Sequence, residues 1–214
     1  MASNYTPNVG LCQWQRTDPF TLDDFNADNA KIDAALAAQP YQVLLTQTLA
    51  AEAEGLSLDV SGLDLSATPR LRVEITAPFY TVNNNHTTIG IQANSLASGY
   101  HYIANYEGAN ASDNRPYIYA GAVRNTQGGD GMLSWTVELL IPSRGFAAIS
   151  HVLAIDRTAV GGHNGYNFYG YYGCHETLER SQLETLWFGR VNLSSSNTDI
   201  AFLPGSRAVL IALP

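Results

Sequence analysis

One well-capped helical pattern can be read in this chain, and it stops before Pro40; beyond it lie short runs of β-branched and aromatic residues punctuated by Gly, Asn, Ser and Pro. A chain divided in this way has to build its core from sheets. Alternation and turn residues place strands near 42–50, 56–60, 70–77, 86–94, 99–106, 116–125, 132–141, 149–158, 166–172, 184–192 and 206–213. Period two is cleanest at Leu71, Val73, Ile75 and at Trp135, Val137, Leu139, Ile141, as expected of strands with one wet face. Asn83 to Asn85, Gly128 to Gly131 and Gly161 to Gly165 supply loops. The segment 175–185, His-Glu-Thr-Leu-Glu-Arg-Ser-Gln-Leu-Glu-Thr, is charged and fits either a helical turn or an excursion between strands. The expected fold is mainly β: an N-terminal extended arm and single α-helix over 1–40, then a jelly-roll-like antiparallel β-sandwich over 41–214, with a closed barrel as the competing architecture.

The helix is marked at both ends. Thr21 is placed to cap it, Asp24 follows three residues later, and Asp23 and Asp24 put negative charge where the helix dipole favours it. Phe25, Asn29, Ile32 and Leu36 then form a narrow stripe with alanines at its margins. A helix this short with so thin a stripe must bury it against something else. Trp14 and Phe20, in the arm that precedes it, join Phe25, Ile32 and Leu36 as candidate assembly residues.

Leu11, Trp14, Asp18, Pro19 and the run Asp24, Phe25, Asn26, Asn29, Lys31, Ile32, Asp33, Ala35, Leu36 make a pattern that resembles the N-terminus of structural proteins from the tail, baseplate and fibre regions of phages and prophages of Gram-positive bacteria. At the other end, Ile200 to Leu213 is similar to the Phe-x-x-Gly-Ser closing strand of small phage β-sandwich domains, without the Tyr-Gly that usually follows there. The first resemblance covers about a fifth of the chain. It implies a virion structural protein, assembled in the host cytoplasm, whose arm and helix attach to other virion proteins or to further copies of the chain. A homotrimer is expected by analogy with phage fibres, since a threefold axis would bury the stripe.

Composition agrees with an assembly component. Charged residues make up 14% of the 214, the formal net charge is −8, and Lys31 is the sole lysine, which leaves no basic stripe for a phosphate backbone. Nucleic acid is therefore excluded as a partner on charge grounds. The first ten residues carry neither a basic start nor an apolar run, so no secretory signal is expected, and no stretch reaches membrane-spanning length. Cys12 and Cys174 are too few for a disulfide framework and are expected as free, buried thiols.

The chemistry-bearing residues give no positive argument for an enzyme. His86, His101, His151, His163 and His175 lie in separate segments, so neither a metal nor any other cofactor is expected, and His175 is assigned to a solvated loop. Ser143 and Ser206 stand outside any nucleophile elbow and look like strand ends. Glu74 and Glu138 fall on the polar side of their strands, whereas Asp156 follows an apolar run and is the one carboxylate expected to be buried and paired. The tyrosine-rich run after Gly165 offers the alternative function, a lectin-like module for host cell-wall glycan, with His163, Asn164, Tyr169 and Tyr171 as candidate sugar contacts.

Overall fold

A computed structural model describes residues 4–7, 9–37, 41–66, 68–81, 86–104, 110–124, 129–156, 167–191 and 200–214. The chain divides into two compact units, Met1–Gln42 and Val43–Pro214.

In the first unit the arm is extended but doubled. Strand β1 (Asn4–Tyr5) pairs antiparallel with β2 (Cys12–Gln13), and the turn between them is closed by the amide of Gly10 donating to Thr6 and that of Leu11 donating to the Thr6 hydroxyl. Gly10 has a φ of 66°, the left-handed conformation such a turn requires. Helix α1 (Leu22–Ala37) follows. Its first turn is capped as the sequence indicates: the Asp24 amide donates to the Thr21 hydroxyl at 3.2 Å, and that hydroxyl donates to the Asp24 carboxylate at 2.7 Å.

The second unit is a β-sandwich of two antiparallel sheets. The larger runs in the order β3 (Gln42–Thr48), β15 (Arg207–Ala212), β5 (Arg70–Thr81), β10 (Gly129–Leu140), β11 (Arg144–Asp156), β12 (Asn167–Glu179), β7 (Tyr100–Ala104), β8 (Asn110–Arg115), and β14 (Ile200–Phe202) also pairs with β5. The smaller runs β4 (Gly55–Asp59), β13 (Thr185–Arg190), β6 (His86–Ala93), β9 (Ile118–Arg124). Strand β9 packs over β7, β11 and β12, and β4 packs over β15, so the small sheet covers the inner face of the large one.

Burial follows the alternation seen in the sequence. Leu71, Val73 and Ile75 of β5 and Leu133, Trp135, Val137 and Leu139 of β10 are buried, and they meet Leu56, Leu58, Ile89, Ile91, Leu186 and Phe188 of the small sheet in one apolar cluster. Glu74 and Glu138 stand on the wet face, where Arg72 pairs with Glu138 at 2.8 Å. The segment 175–185 is the end of β12 and a single 3-10 turn, Arg180–Gln182, before β13. In the second unit, two of the described strands, β8 and β14, escape the sequence pattern. β8, Asn-Ala-Ser-Asp-Asn-Arg, has no strand-favouring residue and pairs with β7 at the sheet edge, and β14 is three residues long.

Candidate functional site

The helix of the first unit places its charged side, not its apolar side, against its own hairpin. Asp24, Asp28, Lys31 and Ala35, one helical face, are its partly buried residues. The Cys12 amide donates to Asp28 at 2.8 Å, and the Lys31 ammonium donates to Asp28 at 3.1 Å and to the Gly10 carbonyl at 2.6 Å while lying 5.5 Å from the centre of the Tyr5 ring. Burial alone would lift the Asp28 carboxyl, but the Cys12 amide and Lys31 hold it below its ordinary value. Partial burial and then the Asp28 carboxylate push the Cys12 thiol up, which makes it a poor nucleophile. Cys12 and Cys174 are both free and half-buried.

Having spent its polar face in this way, the helix leaves its apolar stripe uncovered. Leu22 is 69% exposed, Phe25 47%, Ile32 40% and Leu36 64%, with Phe20 at 66% just before the helix. Phe20 lies 5.1 Å from Trp14 and 6.1 Å from Phe25, ring centre to ring centre, so three of the five candidate assembly residues form one aromatic cluster at the helix start. Ile32 and Leu36 continue the stripe towards its end.

The candidate glycan residues fare differently. His163 and Asn164 lie outside the described residues. Tyr169 and Tyr171 belong to β12, where their backbone partners are Val152 and Ser150, both on the buried face of β11. Tyr172, next along the strand, is exposed and lies opposite exposed Ile149. Asp156 closes β11 opposite Gly131, and its side chain lies outside the described residues. No protein-family model and no curated protein matches the chain. What the molecule does must therefore be argued from its own surfaces.

Two groups expected to be inert have specific structural roles. Ser206 is buried, and its hydroxyl donates to the Leu203 carbonyl at 2.7 Å, closing the turn before β15. His175 departs from expectation: it is not a solvated loop residue but a buried member of β12, lying edge-on to Tyr100 and parallel to Phe146. Its Nδ1 accepts from the Leu178 amide at 3.2 Å, a role only the neutral imidazole can fill. The same corner seats Tyr100, whose hydroxyl bonds both the amide and the carbonyl of Ala93 and whose phenol is pushed up to about 12 by burial. Sequence reasoning missed His175 because its strand begins inside a glycine- and tyrosine-rich run and ends among charges.

Burial, reinforced by His101, holds the His175 pKa below the ordinary 6.5, with the Ser98 carbonyl and Glu176 opposing. Below pH 6.5 the unfolded chain then binds a proton the folded chain resists, so stability is full above that value and falls as the pH drops from it through the lowered folded-state value. Urea unfolding at pH 7.5, 6.0 and 5.0 should show this loss, and His175→Gln, which keeps an acceptor but cannot titrate, should flatten the profile. An equal acid dependence in the variant would remove His175 as its cause.

Among the described residues no group of His, Cys, Asp and Glu is arranged to hold a metal ion, and no helix is long and apolar enough to cross a membrane.

Proposed function

We propose that this chain is a virion structural protein, a tail, baseplate or fibre-like component, that assembles through its N-terminal helix. The carrying observation is the inversion on that helix: its charged face is satisfied inside the unit, while Leu22, Phe25, Ile32 and Leu36 stand in solvent. A soluble domain that keeps such a stripe exposed has a partner surface for it. The low charge of the whole chain and the resemblance of residues 11–36 support the same reading.

The sandwich is a compact unit of its own, so the helix can be removed without cutting into its core. A chain beginning at Tyr41 is expected to stay folded, with the β-type circular dichroism of the whole protein, and to be lost from purified tail particles in which the full chain is retained. Absence of the full chain from such particles, together with one-chain mass for both forms in solution, would end the proposal.

A second reading, glycan binding by the body, draws on the exposed pair Tyr172 and Ile149 on the outer sheet face. It requires cell-wall glycan binding that Tyr172→Ala abolishes and removal of the helix leaves intact.

A further inference from the structure

A sheet grows at its edges, and the sandwich guards its edges unequally. Among the described residues the two sheets end on β3 and β8 and on β4 and β9. β8 carries Asp113 and Arg115, a left-handed Asn114 at φ 54° and a shift of register against β7. β4 spans 5 residues and ends in Asp59, and β9 ends in Arg124 with a shift of register against β6. Short length, charge and bulges are devices that stop a foreign strand from pairing. β3 is open in composition: Gln-Val-Leu-Leu-Thr-Gln-Thr holds no charge, no proline and no glycine, and Val43 is 60% exposed. An uncharged edge of this length is a template for another strand.

The backbone limits how that strand can be added. Leu49, next after β3, turns both its groups towards the body: its amide donates to the Ser206 carbonyl at 2.8 Å and its carbonyl accepts from the Gly205 amide at 2.9 Å. By the alternation of a strand, Gln47, Leu45 and Val43 turn the same way, and Thr46, Leu44 and Gln42 direct their amides and carbonyls outward. Opposed residues in an antiparallel ladder are of one kind, outward against outward, so a second β3 related by a twofold axis must place that axis on a residue and not between two. With the axis at Leu44, that residue meets its own copy, Val43 meets Leu45 on both sides of it, and Gln42 bonds Thr46. Apolar then opposes apolar and polar opposes polar. With the axis at Val43 or at Leu45, Leu44 would oppose Gln42 or Thr46.

We propose that β3 is a pairing edge and that its partner is β3 of a second copy of the chain, antiparallel and centred on Leu44, so that two large sheets run on as one. The contact belongs to the sandwich and goes beyond the exposed stripe of α1. The outward amides and carbonyls set its register, and Val43, Leu44 and Leu45 supply its apolar burial. With no charged side chain on either strand, two chains of net charge −8 meet there without like charges in contact.

The test uses the full chain carrying Ile32→Asp, which puts a charge into the α1 stripe and leaves β3 to act alone. Sedimentation over rising concentration should reach the mass of two chains. Thr46→Pro removes an outward amide, which an edge strand tolerates, and Thr46→Lys adds the kind of charge that guards the other edges. Each should keep the β-type circular dichroism and raise the dissociation constant about tenfold or more. Under mild oxidation Leu44→Cys should link to its own copy, with peptide mapping to set that bond apart from Cys12 and Cys174, and Thr46→Cys, which would stand opposite Gln42, should not. The mass of one chain at every concentration overturns the proposal, as does a two-chain mass that Thr46→Lys leaves intact. With the native stripe restored, loss of Thr46→Lys from tail particles that retain the native chain, alongside a one-chain mass, would give the edge to a strand of another protein and overturn self-pairing. Each of these results leaves the assembly role of α1 standing, since that role is decided by retention of the native chain in particles.

Discussion

Replacing Trp135 by alanine is expected to cost about 3–5 kcal/mol, the range for truncating a fully buried aromatic side chain, and so to remove a large share of the roughly 5–15 kcal/mol by which such a domain is stable. Trp135 is completely buried on β10 and reaches the opposite sheet once directly and once through Ser150 of its own sheet. Its ring lies edge-on to Phe188 of β13 at 5.7 Å, and its indole Nε1 donates at 2.7 Å to the Ser150 hydroxyl of β11, which donates in turn at 3.1 Å to the Ala120 carbonyl of β9. Van der Waals packing and a buried polar relay therefore tie the two layers at the same place. Ser150→Ala separates the two contributions. It leaves the cavity unopened but strands the indole N–H and the Ala120 carbonyl, for about 1–3 kcal/mol. Urea unfolding followed by tryptophan fluorescence and circular dichroism measures both. A cost below about 1 kcal/mol for Trp135→Ala would mean that the sheets are not held together there.

Gly189→Val is the second large effect, expected near 3 kcal/mol and localised to one edge of the small sheet. Gly189 of β13 pairs with Gly55 of β4, and a Cβ at Gly189 would lie 2.5 Å from the Glu54 carbonyl oxygen, 2.6 Å from the Gly55 Cα and 2.6 Å from the Trp187 ring. The first two are backbone and cannot turn aside, so the strands must separate. With them would go the amide of Arg190 on the Glu54 carbonyl at 2.8 Å and the Arg190 to Glu54 ion pair. The paired glycines leave room for the Trp187 ring to lie over the bare backbone, a substitute for the side-chain contacts that glycine lacks. Hydrogen exchange should show loss of protection in β4 before β5 or β10. Gly62→Ala, with open space around its Cα, is the control that should change nothing.

Much of this architecture is legible locally. Thr21, Asp24 and Pro40 bound the helix because capping and ring closure act within a few residues, and the alternation through Leu71 to Ile75 and Trp135 to Ile141 assigns the buried side of two central strands before any partner is known. β8 is not legible, since Asn110 to Arg115 carry no strand-favouring residue and form their strand in pairing with β7. Nor is the burial of His175, which depends on Ser98 and Tyr100 arriving from one other segment and Phe146 from another.

The candidate site divides along the same line. The sequence by itself determined that a short capped helix carries an apolar stripe of Phe25, Ile32 and Leu36, because helical period and side-chain polarity are properties of neighbours in the chain. Only the tertiary structure decided which face of that helix the protein keeps for itself. Lys31 finds the Gly10 carbonyl and the Tyr5 ring, and Asp28 finds the Cys12 amide, through a hairpin more than fifteen residues away along the chain. Those polar contacts hold the hairpin on the charged face, and the apolar face is left exposed.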